Sequence, residues 1–341
     1  MATKANRQWC LARRPVGLVK ESDFEWREGP VPVPRPGYAL VRNHHLSLGP
    51  TDRQLLREED TWLPAQRLGQ VVRGVTVGTV VQSKNDSLPE GTQVMGVFGW
   101  QDFAVTDCTA DFFMKLPDET QVPSTMHLGL FGPVGIAAYF GVIDIARPSA
   151  GEVMVVSAAG GATGSLVGQI AKLRGCRVVG ITGSDEKCRW ITEELGFDAA
   201  INYKKGRMFQ GLLEHCPDGI DVYFDSVGGS ILEDVLSVLK AHARVVACGM
   251  VSVYNDFGGT LSYPAGPNNL LNLVIKRGRI EGFVCLDYWN RASEAFAALA
   301  DWQQQGKIRY RVEVVEGLRN APRALNQLFD GSNRGKLVLE I

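Results

Sequence analysis

The sequence predicts an α/β protein: a doubly wound parallel sheet accompanied by a second, strand-rich domain. Three observations lead there. The chain has 341 residues, more than one hydrophobic core usually organises, so two domains are expected. From Gly151 to Phe283 short apolar runs alternate with longer segments of helical period, the pattern of β-α-β units. The stretch SAAGGATGSLVGQ, residues 157 to 169, places four glycines and three alanines directly after Val153-Met154-Val155-Val156. Bulk would bury more surface there, so the requirement is closeness.

Taken in order, residues 1 to about 127 carry short β-like pieces, YALVRNHHLSL and VGTVVQS, punctuated by segments such as GPVPVPRPG at 29 to 37. These spell the strand-rich domain. Six strands are then predicted: VMVVS at 153 to 157, RVVGIT at 177 to 182, DAAINY at 198 to 203, DVYFD at 221 to 225, RVVACG at 244 to 249 and RIEGFV at 279 to 284. Between them, Leu166, Val167, Ile170, Ala171 and Leu173 mark one apolar helix face, and Ile231, Val235, Leu236 and Leu239 another. ASEAFAALADWQQQGKI reads as an amphipathic helix, RVEVVE as a strand, APRALNQLFDG as a further helix before GKLVLEI. These last pieces can return to either domain.

Composition excludes several classes. Hydrophobic residues make up 45%, charged residues 21%, and the formal net charge is -1, so nothing marks a polyanion-binding surface or disorder, and nucleic acid is not an expected partner. Seven cysteines are scattered without a C-x-x-C pair; with the odd number, this points to a reducing, cytoplasmic setting rather than a disulfide framework. The opening MATKANRQWCLARRPVG has no apolar centre and does not resemble a signal peptide. The uncharged stretches 121 to 143 and 153 to 171 are interrupted by prolines or glycines, so both are read as interior segments rather than membrane spans.

The glycine stretch has the layout of a dinucleotide-binding turn, a strand ending in Ala159-Gly160-Gly161-Ala162-Thr163-Gly164 and opening a helix. Gly161 lets backbone N–H groups approach a pyrophosphate, Gly164 lets the helix lie on the sheet, and the helix N-terminus faces the phosphates. About 20 residues later an NAD site offers an acid to the ribose; here the second strand ends Ile181-Thr182-Gly183-Ser184. Ser184 fits an N-cap, and Asp185 and Glu186 suit a first turn. Lys187 does not, and is assigned to the extra phosphate of NADP, a solvated surface lysine being the alternative. Tyr203, closing the third strand, can cover the same phosphate or simply pack.

The five histidines lack partners at metal-ligand spacing, and no four-cysteine lobe exists, so no zinc site is expected. No G-x-S-x-G elbow occurs either. His44 and His45, adjacent in a strand, would face opposite sides. Hydride chemistry then needs a hydroxyl or backbone donor for the substrate oxygen. Tyr254 in CGMVSVYN, just beyond the fifth strand, is the candidate, with a packed loop tyrosine as the alternative.

Collectively the residues resemble the zinc-independent medium-chain dehydrogenase/reductases of the prostaglandin reductase, plant alkenal double-bond reductase and bacterial curcumin reductase type. The resemblance runs through RQWCLARRPVG, LSLGPTDR, GWQDFAV, LGLFGPVGIAAYFG, SAAGGATGSLVGQIAKLRGC, GSDEKC, LGFDAAINYK, YFDSVGG, CGMVSVYN and SNRGKLVLEI. It implies a Rossmann domain over 128–309, inserted in a partly open β-barrel, GroES-like catalytic domain made of 1–127 and 310–341, with the active site in the cleft between them. It also implies that Gly161, Ala162, Thr163 and Gly164 hold the pyrophosphate, Lys187 and Tyr203 the 2′-phosphate, and Cys248, Gly249, Ser252 and Tyr254 the nicotinamide ribose side. Phe283, Val284 and Cys285 would meet the carboxamide through backbone groups, and Asn333 the cofactor from the tail.

Three positions depart from the family. Thr51 stands where LSLDPYMRG-like segments carry a tyrosine, Val134 lies in Gly132-Pro133-Val134-Gly135 where GMTG would supply a hydroxyl, and Ser226 replaces the asparagine of FDNVGG on the cofactor side. The resemblance implies an NADPH-dependent reductase of carbon–carbon double bonds in α,β-unsaturated ketones or aldehydes, acting as a homodimer on a small-molecule enone or alkenal. Quinone reduction and non-catalytic NADPH binding are the alternatives.

Overall fold

The computed structural model describes residues 5–109, 112–117, 122–256 and 266–341. Strands β1 (Val153–Val156), β2 (Arg177–Thr182), β3 (Ala199–Asn202), β4 (Ile220–Asp225), β5 (Leu239–Ala247) and β6 (Arg279–Gly282) form one all-parallel sheet in the order β3-β2-β1-β4-β5-β6. Successive residues of each strand feed opposite faces. Met154, Val156, Val178, Val222, Phe224 and Val246 join the core under the helix Ala162–Leu173, which contributes Leu166, Val167, Ile170 and Ala171. Val155, Val179, Ile181, Tyr223 and Val245 join the opposite core with Ile231, Leu232, Val235 and Leu236 of the helix Gly229–Leu236. Burial on both faces explains why these strands read as continuous apolar runs.

Several expected boundaries move. Leu239 leaves the preceding helix and begins β5, which starts five residues earlier than the apolar run suggests. The pairing slips between Ile220↔Leu239 and Val222↔Arg244, and His242 takes a left-handed φ of 64° in the bulge. Leu239 is buried in the same core cluster as the residues of that helix, so its hydrophobicity alone does not separate a helix end from a strand start. At the other end, Cys248 and Gly249 fall outside β5 because both backbone N–H groups turn to the Asp225 carbonyl, at 2.8 and 3.1 Å. Tyr203 likewise leaves β3: Asn202 accepts from the Lys204 N–H and starts a short 3-10 turn.

The second sheet settles where the tail goes. Lys336–Glu340 pairs antiparallel with Ala39–Ser47 and parallel with Val312–Glu316; Val75–Ser83, Gln93–Val97 and Met114–Lys115 continue the path, and Phe103–Thr106 also pairs with Ala39–Ser47. The first and last parts of the chain therefore share one sheet. Its core gathers Trp9, Leu11, Phe24, Trp100, Leu318, Leu325, Leu337 and Leu339, and the Trp9 indole donates to the Leu318 carbonyl at 2.9 Å. Among the described residues no helix is long and apolar enough to cross a membrane. The two uncharged stretches supply buried helix and strand residues such as Ile136, Phe140, Met154 and Leu166.

Candidate active site

In a parallel sheet all strands end on one edge, and ligands bind there beside the point where strand order reverses. In this sheet that point lies between β1 and β4. Every sequence-derived cofactor residue of the Rossmann segment follows the carboxyl end of a strand: Gly161 to Gly164 after β1, Lys187 after β2, Tyr203 after β3, Ser226 after β4, Cys248 to Tyr254 after β5, and Phe283 to Cys285 after β6. Topology alone brings these six segments to one rim.

At the centre, Ala158 adopts a left-handed φ of 48° and turns its carbonyl under the helix that starts at Ala162. A Cβ on Gly164 would stand 2.4 Å from that oxygen, and one on Gly161 3.1 Å. Gly164 thus sets the close approach of helix to turn, and Gly161 is the less crowded of the two. The helix N-terminus has no side-chain cap, so its first N–H groups and its dipole are available to an anion. The tail closes the turn from the other domain: Gly161 bridges Gly335 in parallel, and Asn333, 8% exposed, donates to the Gly335 carbonyl at 3.1 Å. Asn333 is therefore brought beside the glycine turn.

Ser184 caps the helix Asp185–Glu193, accepting from the Lys187 N–H at 3.2 Å. The Lys187 side chain runs along Gly160, and its ammonium donates to the Gly331 carbonyl at 2.8 Å. Burial lowers its pKa, and the charge of Lys204 adds to that. The Tyr203 ring lies over Gly183.

The other end is organised by a carboxylate that sequence reasoning missed. Asp225, 2% exposed, accepts from Ser157 Oγ at 3.1 Å, Tyr223 Oη at 2.9 Å, and the N–H groups of Val227 and Gly228 at 2.8 and 2.9 Å. Ser157 in turn accepts from the Ser226 N–H at 2.8 Å. With its carbonyl taken by Cys248 and Gly249, Asp225 ties the turn after β4 to the turn after β5. The only trace of this in the sequence is an acid closing the apolar run DVYFD. Beyond the neighbouring Cys248 thiol, the buried Ser226 Oγ has no hydrogen-bond partner among the described residues. The Ser252 hydroxyl donates to the Val227 carbonyl at 2.6 Å, so it holds the loop.

Tyr254 is 8% exposed. Its hydroxyl oxygen accepts from the Met250 N–H at 3.1 Å and packs against Gly249. Burial raises its pKa, so it remains a phenol with a proton to give. Burial also pushes the thiols of Cys248 and Cys285 up, to about 12 and about 11. Phe283 packs near Gly141 and edge-on to Tyr288. His44 and His45 pair with Thr79 Oγ1 at 2.9 Å and Ser124 Oγ at 3.2 Å. Among the described residues no three His, Cys, Asp or Glu side chains gather to hold a metal ion.

Comparison with known proteins identifies the architecture. Residues 7–114 match the model of the N-terminal domain of oxidoreductase, and residues 162–302 that of the zinc-binding dehydrogenase. The NADPH-dependent curcumin reductase of Escherichia coli (strain K12) is 40% identical over 341 residues, 98% of this chain and 97% of that protein. This chain belongs to the zinc-independent medium-chain dehydrogenase/reductase family. Another relative of this dehydrogenase/reductase, the NADP(+)-dependent 2-alkenal reductase of Nicotiana tabacum, is 36% identical over 342 residues, 99% of this chain and 98% of that one. The crystal structure of CurA from Vibrio vulnificus in complex with NADPH superposes with a TM-score of 0.92 at 38% identity, covering 98% of each chain.

The residues of this dehydrogenase/reductase fit a phosphorylated dinucleotide on their own terms: an uncapped helix N-terminus against a turn where a Cβ would collide, a buried Ser226 Oγ just after β4, and ammonium groups beyond β2 and β3.

Proposed function

We propose that this protein is an NADPH-dependent reductase of carbon–carbon double bonds conjugated to a carbonyl. The observation that carries the reading is the placement of Lys187 after β2 and Tyr254 after β5 on the same strand rim. Three strand spacings separate those strands, about 14 Å, the reach of an extended dinucleotide from its adenosine ribose to its nicotinamide. Gly161 to Gly164 with Asn333 would hold the pyrophosphate, Lys187 and Tyr203 the 2′-phosphate, Ser226 and Cys248 to Tyr254 the nicotinamide ribose side, and Phe283 to Cys285 the carboxamide.

Bound NADPH would supply the hydride that adds to the β-carbon of the substrate. The protein's part is to hold the charge that then develops on the carbonyl oxygen. The Tyr254 phenol, kept protonated by burial and with its oxygen already accepting from Met250, offers its proton toward that oxygen in a site where such a bond is worth more than in water. Solvent completes protonation of the α-carbon. The same relatives support the reading, since their names specify curcumin and 2-alkenals as substrates.

Quinone reduction is the second reading, favoured by Thr51, which offers an exposed short side chain in place of the family's phenol. The experiment is NADPH oxidation by the purified full chain with an enone, a 2-alkenal and a quinone, with product analysis. A saturated ketone or aldehyde is expected. A hydroquinone alone would replace the first reading by the second, and tight NADPH binding with no consumption in any assay would overturn both.

The division into 1–127 with 310–341 and 128–309 belongs to this proposal, as do a cytoplasmic location and a homodimer. All seven cysteines are free, which suits a reducing compartment. For the dimer, β6 pairs only with β5 among the described residues; Ile280 on β6 is 39% exposed, and Leu271, Val274 and Ile275 of the helix Leu271–Lys276 that precedes it are 67%, 72% and 57% exposed. An unpaired apolar edge is a template for another strand, and a second copy related by a two-fold axis would cover both edges at once. Ile280→Asp is expected to shift the hydrodynamic mass from two chains to one; a wild-type monomer would overturn the proposal.

A further inference from the structure

The corner beyond β2 and β3 holds three lysines, 187, 204 and 205. They are not equivalent. Lys205 forms an ion pair with Asp185 at 2.8 Å. Lys187 donates to the Gly331 carbonyl at 2.8 Å and Lys204 to the neighbouring Asp330 carbonyl at 3.1 Å. Consecutive carbonyls at the end of the helix Ala321–Asp330 therefore hold two ammonium groups side by side.

Among the described residues neither has a carboxylate partner, and the nearby acids are engaged elsewhere: Glu186 with Arg334 at 2.8 Å, Glu313 with the Arg334 N–H at 2.6 Å, and Asp330 with the Ser332 N–H at 2.7 Å. Helix-end carbonyls orient cations without neutralising them. The stems are seated as well. A Cβ on Gly160 would lie 3.0 to 3.1 Å from the Lys187 side chain, and one on Gly183 3.2 Å from the Tyr203 hydroxyl and 3.3 Å from Lys204 Cε. Two adjacent cations repel unless a multiply charged anion comes between them, and a phosphate monoester carries about -1.5 to -2 charges at neutral pH.

We propose that Lys204 is a second cation for the 2′-phosphate, acting with Lys187, so that preference for the phosphorylated coenzyme rests on a pair of lysines fixed by the tail rather than on Lys187 alone. This rests on NADPH being the coenzyme. The match is in charge and in position: Lys204 follows the strand next to the one that Lys187 follows, and the catalytic-domain helix that holds both ammoniums ends just before Asn333.

The test is equilibrium titration of the full chain with NADPH and with NADH, and with 2′-AMP against 5′-AMP as competitors. It compares the wild type with Lys204→Met, Lys204→Arg, Lys187→Met and Lys205→Met. Lys204→Met is expected to weaken NADPH and 2′-AMP about 5- to 20-fold, leaving NADH and 5′-AMP within twofold. Lys204→Arg should restore most of the loss, and Lys205→Met should match the wild type. Lys204 is exposed, so its replacement does not threaten folding. NADPH affinity unchanged in Lys204→Met, with Lys187→Met impaired, would overturn the inference while leaving the coenzyme reading intact. A wild type that binds NADH as tightly as NADPH would overturn both.

Discussion

The Met250 N–H donates to the Tyr254 hydroxyl oxygen at 3.1 Å, so the phenol is held from behind by a backbone four residues away and, among the described residues, its own proton has no acceptor. Tyr254→Phe removes that proton while keeping the ring. Turnover with an enone is expected to fall about 10- to 100-fold, somewhat less than loss of a sole oxyanion donor because a ribose hydroxyl can share the role. NADPH affinity should change by less than about threefold. An equal loss in affinity and turnover would make Tyr254 a packing residue.

Gly164 and Gly161 should separate stability from binding. A Cβ on Gly164 meets backbone at 2.4 to 2.9 Å, whereas one on Gly161 meets a single oxygen at 3.1 Å. Gly164→Ala is expected to cost about 1–3 kcal/mol in denaturant unfolding. Gly161→Ala should fold within about 1 kcal/mol of the wild type but lose NADPH affinity. The reverse ranking would contradict the turn geometry.

An enzyme that takes electrophilic substrates must keep its own thiols unreactive. Cys248 and Cys285 sit on the proposed nicotinamide side with thiols raised to about 12 and about 11 by burial, so almost no thiolate exists at neutral pH. Peptide mapping after exposure to an alkenal or N-ethylmaleimide at about pH 7.5 should find both unmodified while a free small thiol is consumed. Rapid stoichiometric labelling would count against the buried geometry.

Lys336 opens the closing strand, 2% exposed, with its ammonium donating to the Leu48 carbonyl at 2.6 Å. Burial lowers its pKa to about 8 from 10.5, against the attraction of Asp52. Between those values the folded protein has released a proton that the unfolded chain still holds, so this group adds stability as pH rises from about 8 to 10.5. Comparing unfolding free energies of the wild type and Lys336→Met across that range should show the wild type gaining on the order of 1–3 kcal/mol relative to the variant. Parallel pH curves would show that Lys336 is not a buried cation.

Much of the site is legible in the chain because its parts are local. Ser184 caps its helix as the S-D-E-K order suggests, and the glycine turn follows its strand. Asp225 was not legible, since its four side-chain bonds draw on Ser157 and on the turn after β4 together. Lys204 was not either: one lysine in YKK is distinguished from the next only by whether it meets Asp330 or Asp185.

The alternation of strand and helix, the small-residue bend at the sheet's edge and the family are all written in the linear chain, because period, glycine placement and capping act over a few residues. Three-dimensional packing alone sets the pairing of the tail strand with Ala39–Ser47, the flanking of Gly161 by Asn333 and Gly335, and which lysines of the corner beyond β2 and β3 stay without a carboxylate among the described residues. The first two outcomes depend on groups more than a hundred residues apart meeting, and the third on whether a lysine side chain turns to Asp185 or to the tail; no local propensity encodes either.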